Sequence, residues 1–131
     1  MLEINNSYLN LPKQFYQIVN PSTAKNPKIA VINEDLSSFL KINIKEREKF
    51  LEIFSGKKIL PKSVPIALVY AGHQFGHFVP QLGDGRAILL GEITGRNNRL
   101  FDIQLKGSGI TKFSRNGDGK CPLGPALREF I

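Results

Sequence analysis

The chain has 131 residues, of which 41% are hydrophobic and 22% charged, with a formal net charge of +7 and a single cysteine, Cys121. Such a balance suits a globular chain with one core and excludes fibrous and wholly disordered classes. An internal disulfide is excluded, in keeping with a reducing, cytoplasmic setting. The longest apolar stretch, residues 64–72, contains Pro65 and falls well short of the roughly 18 residues that would cross a bilayer, so no membrane partner is expected. The opening residues, MLEINNSYLNLPK, lack a basic leading region and an apolar segment, so no secretory signal is expected. A cationic surplus suits polyanions such as nucleic acid or nucleotide phosphates. Its basic residues are scattered, however, and the tightest run, Lys45 to Lys49, alternates with Glu46 and Glu48 as a solvated helix face does.

In chain order, residues 1–30 read as an irregular arm with Pro12, Pro21 and Pro27, and with Phe15, Tyr16, Ile18 and Val19 available as anchors. Residues 31–131 read as a separate unit. Asn33 is an expected N-cap, Glu34 and Asp35 suit the first turn of a helix, and Leu36, Phe39 and Leu40 follow at helical spacing. A second helix is expected over 44–54, with Phe50, Leu51 and Phe54 as its apolar stripe and Gly56 at its end. From Ile66 the texture becomes that of strands. RAILLGEI (86–93) and LFDIQLKG (100–107) flank TGRNNR, which suits a hairpin loop. Alternation puts Phe101, Ile103 and Leu105 on one face and Asp102, Gln104 and Lys106 on the other. After Pro122, a helix is expected whose buried stripe is Leu123, Ala126, Leu127 and Phe130 and which carries Glu129.

One internal echo stands out: Gly83-Asp84-Gly85-Arg86 and Gly117-Asp118-Gly119-Lys120. Asp-Gly is a common turn pair, so two tight turns are one reading. Two bulk-free backbone loops, each ending in a cation and converging on one anion, are the other. His73 and His77 stand four apart, but with no third histidine a zinc site would need a carboxylate to finish it. Cys121 reads as a small residue at a helix start, without a base to make it a nucleophile. Ser108, Thr111 and Ser114 are candidates either for self-modification or for loop and cap hydrogen bonding.

A glycine loop, a strand lysine and then a helix glutamate is the order of parts in the small lobe of a protein-kinase-like fold, where the lysine holds nucleotide phosphates and pairs with the glutamate. The spelling departs from an ordinary kinase, because GDGRAILLG lacks the third glycine of G-x-G-x-x-G. YAGHQFGHFVPQLGDGRAILLGE and LKGSGITKFSRNGDGKCPLGPALREF closely resemble the SelO (YdiU) family of pseudokinase-like protein adenylyltransferases, and LPKQFYQIVNPSTAKNPKIAVIN resembles that family's N-terminal region. The resemblance implies an α+β fold: a kinase-like N-terminal lobe with a twisted, mainly antiparallel sheet, a glycine-rich loop and a packed helix, preceded by an arm and short helices. It also implies binding of ATP in a reversed orientation and transfer of AMP to Ser, Thr or Tyr hydroxyls of protein substrates.

By the same resemblance, Gly83, Gly85 and Arg86 match the nucleotide-binding loop, Lys106 the phosphate-binding strand lysine, Asp118 and Gly119 a second nucleotide loop, and Glu129 the lysine-orienting glutamate. The catalytic aspartate and the Mg ligands are expected in a region this sequence does not contain, so the chain alone is expected to be inactive. Where the family reads GDGRA this chain has Lys120 and Cys121, and Lys112 stands where the family has proline; Lys120 keeps the charge but loses the bidentate fork. Because a short helix near its end frays, Glu129 is expected to be poorly held. A basic nucleic-acid-binding module is the rival reading, with no helix-turn-helix, zinc-finger or RNA-recognition signature behind it.

Overall fold

A computed structural model describes residues 2–130, and its strands follow the period-two alternation of the sequence. Five strands form an antiparallel sheet: β1 (Tyr16–Ile18), β2 (Ile66–Gln74), β3 (His77–Gly83), β4 (Ala87–Thr94) and β5 (Leu100–Lys106). Three α-helices accompany them: α1 (Glu34–Phe39), α2 (Arg47–Phe54) and α3 (Leu123–Phe130). The fold class is therefore α+β, as expected. Among the described residues no helix is long and apolar enough to cross a membrane.

The expected hairpin of β4 and β5 is present, with Ala87 opposite Lys106 and Thr94 opposite Leu100. Ile103 and Leu105 are buried and Asp102, Gln104 and Lys106 exposed, as the alternation requires. Seven consecutive residues of β4, Ala87 to Ile93, are buried, because the strand has neighbours on both edges and is covered on both faces. The main core gathers Leu90, Ile93, Ile103 and Leu105 of this hairpin with Ile4, Leu40, Ile53 and Leu60.

A second hairpin, β2–β3, was not legible as one. Its turn is Phe75-Gly76, both at positive φ (54° and 78°), with Gln74 paired to His77. His73 and His77 thus lie on facing strands rather than on a helix. The His73 ring meets Phe78 edge-on at 5.6 Å, and no cluster of three metal-ligating side chains exists among the described residues.

From Val69 to Ile66, β2 faces everything from Gly83 to Leu89. Six residue steps on one side match three on the other. The chain through β3, Asp84 and β4 is thus one long bent strand with a large, irregular bulge around residues 84–86. A second irregularity lies at Gly91 (φ 140°), where Asn5 bridges to Glu92. A Cβ on Gly91 would come within 2.3 Å of the Asn5 carbonyl oxygen. The buried Glu92 carboxylate accepts from Ser7 N–H at 2.6 Å, which binds the N-terminal segment to the sheet.

Several expectations need correction. The segment read as an irregular arm supplies β1 and buries Ile4 and Asn6; a three-residue strand carries too little periodicity to be read. Helix α2 starts at Arg47 rather than 44, because Asn43 accepts from Lys45 N–H and donates to Glu46, a local turn that competes with helix. Its buried residue is Ile53, while Phe50 and Phe54 pack on each other at 4.4 Å and stay half-buried. Helix α3 buries no residue: Leu123, Leu127 and Phe130 are 63%, 41% and 43% exposed. The expected stripe is present as a pattern, but the described residues do not cover it. Two features stand as expected, the Asn33 cap, which accepts from Leu36 N–H at 2.9 Å, and Gly56 at the end of α2, at φ 78°.

Gly91→Ala is expected to cost at least about 1–3 kcal/mol, from strain at positive φ plus the clash with Asn5. Gly124→Ala, in open space on α3, is expected to be neutral or stabilising by up to about 1 kcal/mol. Chemical denaturation of the two variants checks both, and equal effects would contradict the reading of Gly91.

Candidate functional site

The site starts from the register of β4 and β5. Ala87 faces Lys106 and the ladder closes with Gly107 N–H donating to the Arg86 carbonyl at 2.7 Å, so Arg86 and Lys106 stand on neighbouring strands at one end of the sheet, where the charge of each is felt at Glu129. Both side chains are exposed. Two cations so placed repel unless an anion joins them.

Glu129 of α3 supplies one. Its carboxylate pairs with the Lys106 ammonium, which overturns the expectation that Glu129 is poorly held. A helix terminus frays when only its own turn holds it, whereas here the partner is a residue of β5. The hydrogen bond from Lys106 holds the Glu129 carboxyl below the usual carboxylate range, with the Lys106 charge and, more distantly, that of Arg86 adding to it. Side chains of the pair are 37% and 57% exposed, so it adds little to the stability of the fold.

Gly83, at the end of β3, and Gly85, in the bulge, lie before Arg86 and against the loop of residues 107–121. A Cβ on Gly83 would fall 2.3 Å from the Phe113 ring, and one on Gly85 would fall 2.9 Å from the Phe113 carbonyl oxygen. Asp84 points inward: its N–H donates to the Leu68 carbonyl (2.9 Å) and its carboxylate accepts from Leu68 N–H (3.1 Å). Burial pushes its carboxyl above the ordinary range, partly offset by that hydrogen bond. The Asp84 carboxyl therefore builds the bulge.

The second Gly-Asp-Gly turn folds onto the same loop. Gly109 N–H donates to the Gly119 carbonyl at 3.2 Å, and a Cβ on Gly119 would overlap Gly109 at 2.1 Å. Asp118 is exposed, and its carboxylate accepts from Lys120 N–H at 2.9 Å, a local turn. Arg86, Lys106 and Glu129 are therefore brought together, with Gly83, Gly85 and Gly119 joined to them by the loop. Among the described residues no hydrogen bond or ion pair links Asp118 to Arg86 or Lys106.

The loop hydroxyls hold it in place. Thr111 is buried and its hydroxyl donates to the Asp84 carbonyl, while the Ser114 hydroxyl donates to the Gly85 carbonyl. Of the two sequence readings of these residues, loop hydrogen bonding is the one seen. Their Thr-x-x-Ser spacing was the available signal; which backbone they meet was not in the sequence.

The family described as Protein adenylyltransferase SelO matches residues 1–131. Protein nucleotidyltransferase YdiU of Maridesulfovibrio salexigens is 52% identical over 132 residues, covering 100% of this chain and 27% of that protein. The proteins of the same name in Teredinibacter turnerae and Clostridium botulinum are 53% and 52% identical, each over 99% of this chain and 27% of its own length. The chain thus spans about a quarter of the length of these curated relatives.

Carboxyl titration by NMR should separate the two acids of the site. The Glu129 midpoint is expected below the ordinary value of about 4.3, and that of Asp84 above its ordinary 3.9 or so. A lowered folded value means that the Glu129 pair adds stability above the unfolded value and loses it as pH falls through the folded one; the Asp84 contribution runs the opposite way. Lys106→Met should return Glu129 toward its ordinary value and leave Asp84 unmoved.

Proposed function

This chain belongs to the SelO family of protein adenylyltransferases, and on that premise we propose that it forms the ATP-binding, kinase-like N-terminal lobe of an enzyme that transfers AMP to protein hydroxyls. The observation that carries the reading is the pairing of Lys106 with Glu129 beside Arg86. A lysine held by a helix carboxylate keeps its ammonium directed at one point, and Arg86 next to it offers a planar fork of donors for phosphate oxygens.

In this reading ATP lies across the end of β4 and β5. Arg86 and Lys106 neutralise its polyphosphate, Gly83 and Gly85 let the backbone approach, and Asp118 and Gly119 border the nucleotide from the second turn. An acceptor hydroxyl of a Ser, Thr or Tyr attacks the α-phosphorus, the bond to the bridging oxygen breaks, pyrophosphate departs, and the hydroxyl proton passes to a base outside this chain. The cations stabilise the charge that grows on the departing pyrophosphate.

Magnesium does not fit the groups present here. Of the three nearby carboxylates, Glu129 is paired with Lys106, Asp84 is tied to Leu68, and Asp118 is turned to its own backbone. No step is derived through the metal.

Isothermal titration of the chain with ATP tests the proposal. Lys106→Ala and Arg86→Ala are each expected to weaken binding about 10- to 100-fold, the worth of a charge-assisted hydrogen bond. Lys49→Ala on α2, where the ammonium pairs with the Glu46 carboxylate, should have no effect. Equal losses for all three, with a steep salt slope for single-stranded DNA, would favour a general polyanion surface instead.

A further inference from the structure

The bulge at residues 84–86 shows an asymmetry that the proposed ATP site does not by itself explain. Two successive carbonyls, those of Asp84 and Gly85, face the 107–121 loop and accept from the Thr111 and Ser114 hydroxyls. In a trans peptide the N–H points opposite to the C=O. The N–H groups of Gly85 and Arg86 therefore point away from the loop, both to one side. Among the described residues neither has an acceptor. Successive amides on one side of a turn form an anion-binding concavity, and this one opens beside the Arg86 side chain.

The clamp is itself rigidly held. Thr111 N–H donates to Ser114 Oγ at 2.8 Å, Phe113 N–H donates to Thr111 Oγ1 at 3.1 Å, and Ser114 N–H donates to the Thr111 carbonyl at 3.1 Å. Gln17 of β1 accepts from Lys112 N–H at 2.8 Å, which fixes the clamp to the sheet. Ser114 also passes the constraint on, since its carbonyl accepts from Gly117 N–H at 2.8 Å at the start of the second Gly-Asp-Gly turn.

We propose that Thr111 and Ser114 are positioning residues: by holding the Asp84 and Gly85 carbonyls, they turn the Gly85 and Arg86 amides toward the polyphosphate chain of the nucleotide. The inference rests on the ATP-binding reading above and adds which backbone groups meet the phosphates and what aims them. Phe113 completes the arrangement, because its ring occupies the space in which a side chain at residue 83 would block the turn.

The test uses inorganic tripolyphosphate and adenosine as separate probes of the 131-residue chain. With tripolyphosphate, the Gly85 and Arg86 amide proton resonances are expected to shift downfield. Thr111→Val and Ser114→Ala should each weaken tripolyphosphate binding about three- to tenfold and leave adenosine binding unchanged, while Thr111→Ser restores it. A role confined to folding would not produce that split between probes. If Thr111→Val fails to fold, Ser114→Ala and the wild-type amide shifts decide. Unmoved amides, or unchanged affinity in folded variants, overturn the positioning role, and if Lys106→Ala still weakens tripolyphosphate the ATP reading survives. If Lys106→Ala has no effect either, both fall together.

Discussion

The structure depends on one mismatch of length, the six residue steps from Gly83 to Leu89 set against the three from Val69 to Ile66. Extra backbone in a sheet must leave its plane, and whatever receives it must come close. Here the 107–121 loop does so. Its approach needs glycine at 83 and 85, where Phe113 lies within Cβ distance, and the loop's own fold needs glycine at 107 and 119, where Cys121 and Gly109 press equally close. Once the surplus is absorbed, the ladder resumes at Arg86 with Gly107 and at Ala87 with Lys106. The placement of the two cations on neighbouring strands follows from where the mismatch ends.

That placement gives the exposed ion pair its meaning. A pair more than a third exposed is screened by water and salt and adds little to the fold. It restricts a flexible lysine to one direction, which matters where a ligand's charge must be met at a fixed point. Helix α3 has no buried residue, so Glu129 is held from the strand side by Lys106 rather than by the packing of its own helix. The chain's surplus charge of +7 thus contains one local arrangement in which position counts for more than total.

What could be read from the sequence was whatever a short window decides. Alternation in 100–107 gave the buried and exposed faces of β5, and Asn33 followed by two acids gave the start of α1. What could not be read depended on partners far along the chain. Three residues of β1 have no pattern of their own and become a strand only because Ile66 to Leu68 lie beside them. Phe75-Gly76 lacks the Asn or Asp that marks a tight hairpin, yet takes the same turn. The repeated Gly-Asp-Gly was visible as an echo, but its two aspartates have different tasks. Asp84 is tied across strands to Leu68, and Asp118 only to Lys120 two residues on. The Lys106–Glu129 contact depends on a strand residue 23 positions before the helix glutamate, which the helix's own sequence does not reveal.

The long bent strand carries two irregularities, and they differ in how completely their backbone groups are hydrogen-bonded. At Gly91 the intruding segment is the chain's own: Asn5 and Glu92 exchange backbone hydrogen bonds, and Ser7 N–H meets the Glu92 carboxylate. The Glu92 N–H and carbonyl both find partners in the chain itself, and the Leu90 carbonyl accepts from the Ser63 hydroxyl, so this irregularity builds the fold. At residues 84–86 only half of the exchange is made. The carbonyls are met by Thr111 and Ser114, and two amides beside a cation have no acceptor among the described residues. Unpaired donors are tolerated where water or a ligand supplies the acceptor. The same backbone device, used twice in one strand, is closed in the first case by the chain itself and in the second leaves two donors without an acceptor among the described residues.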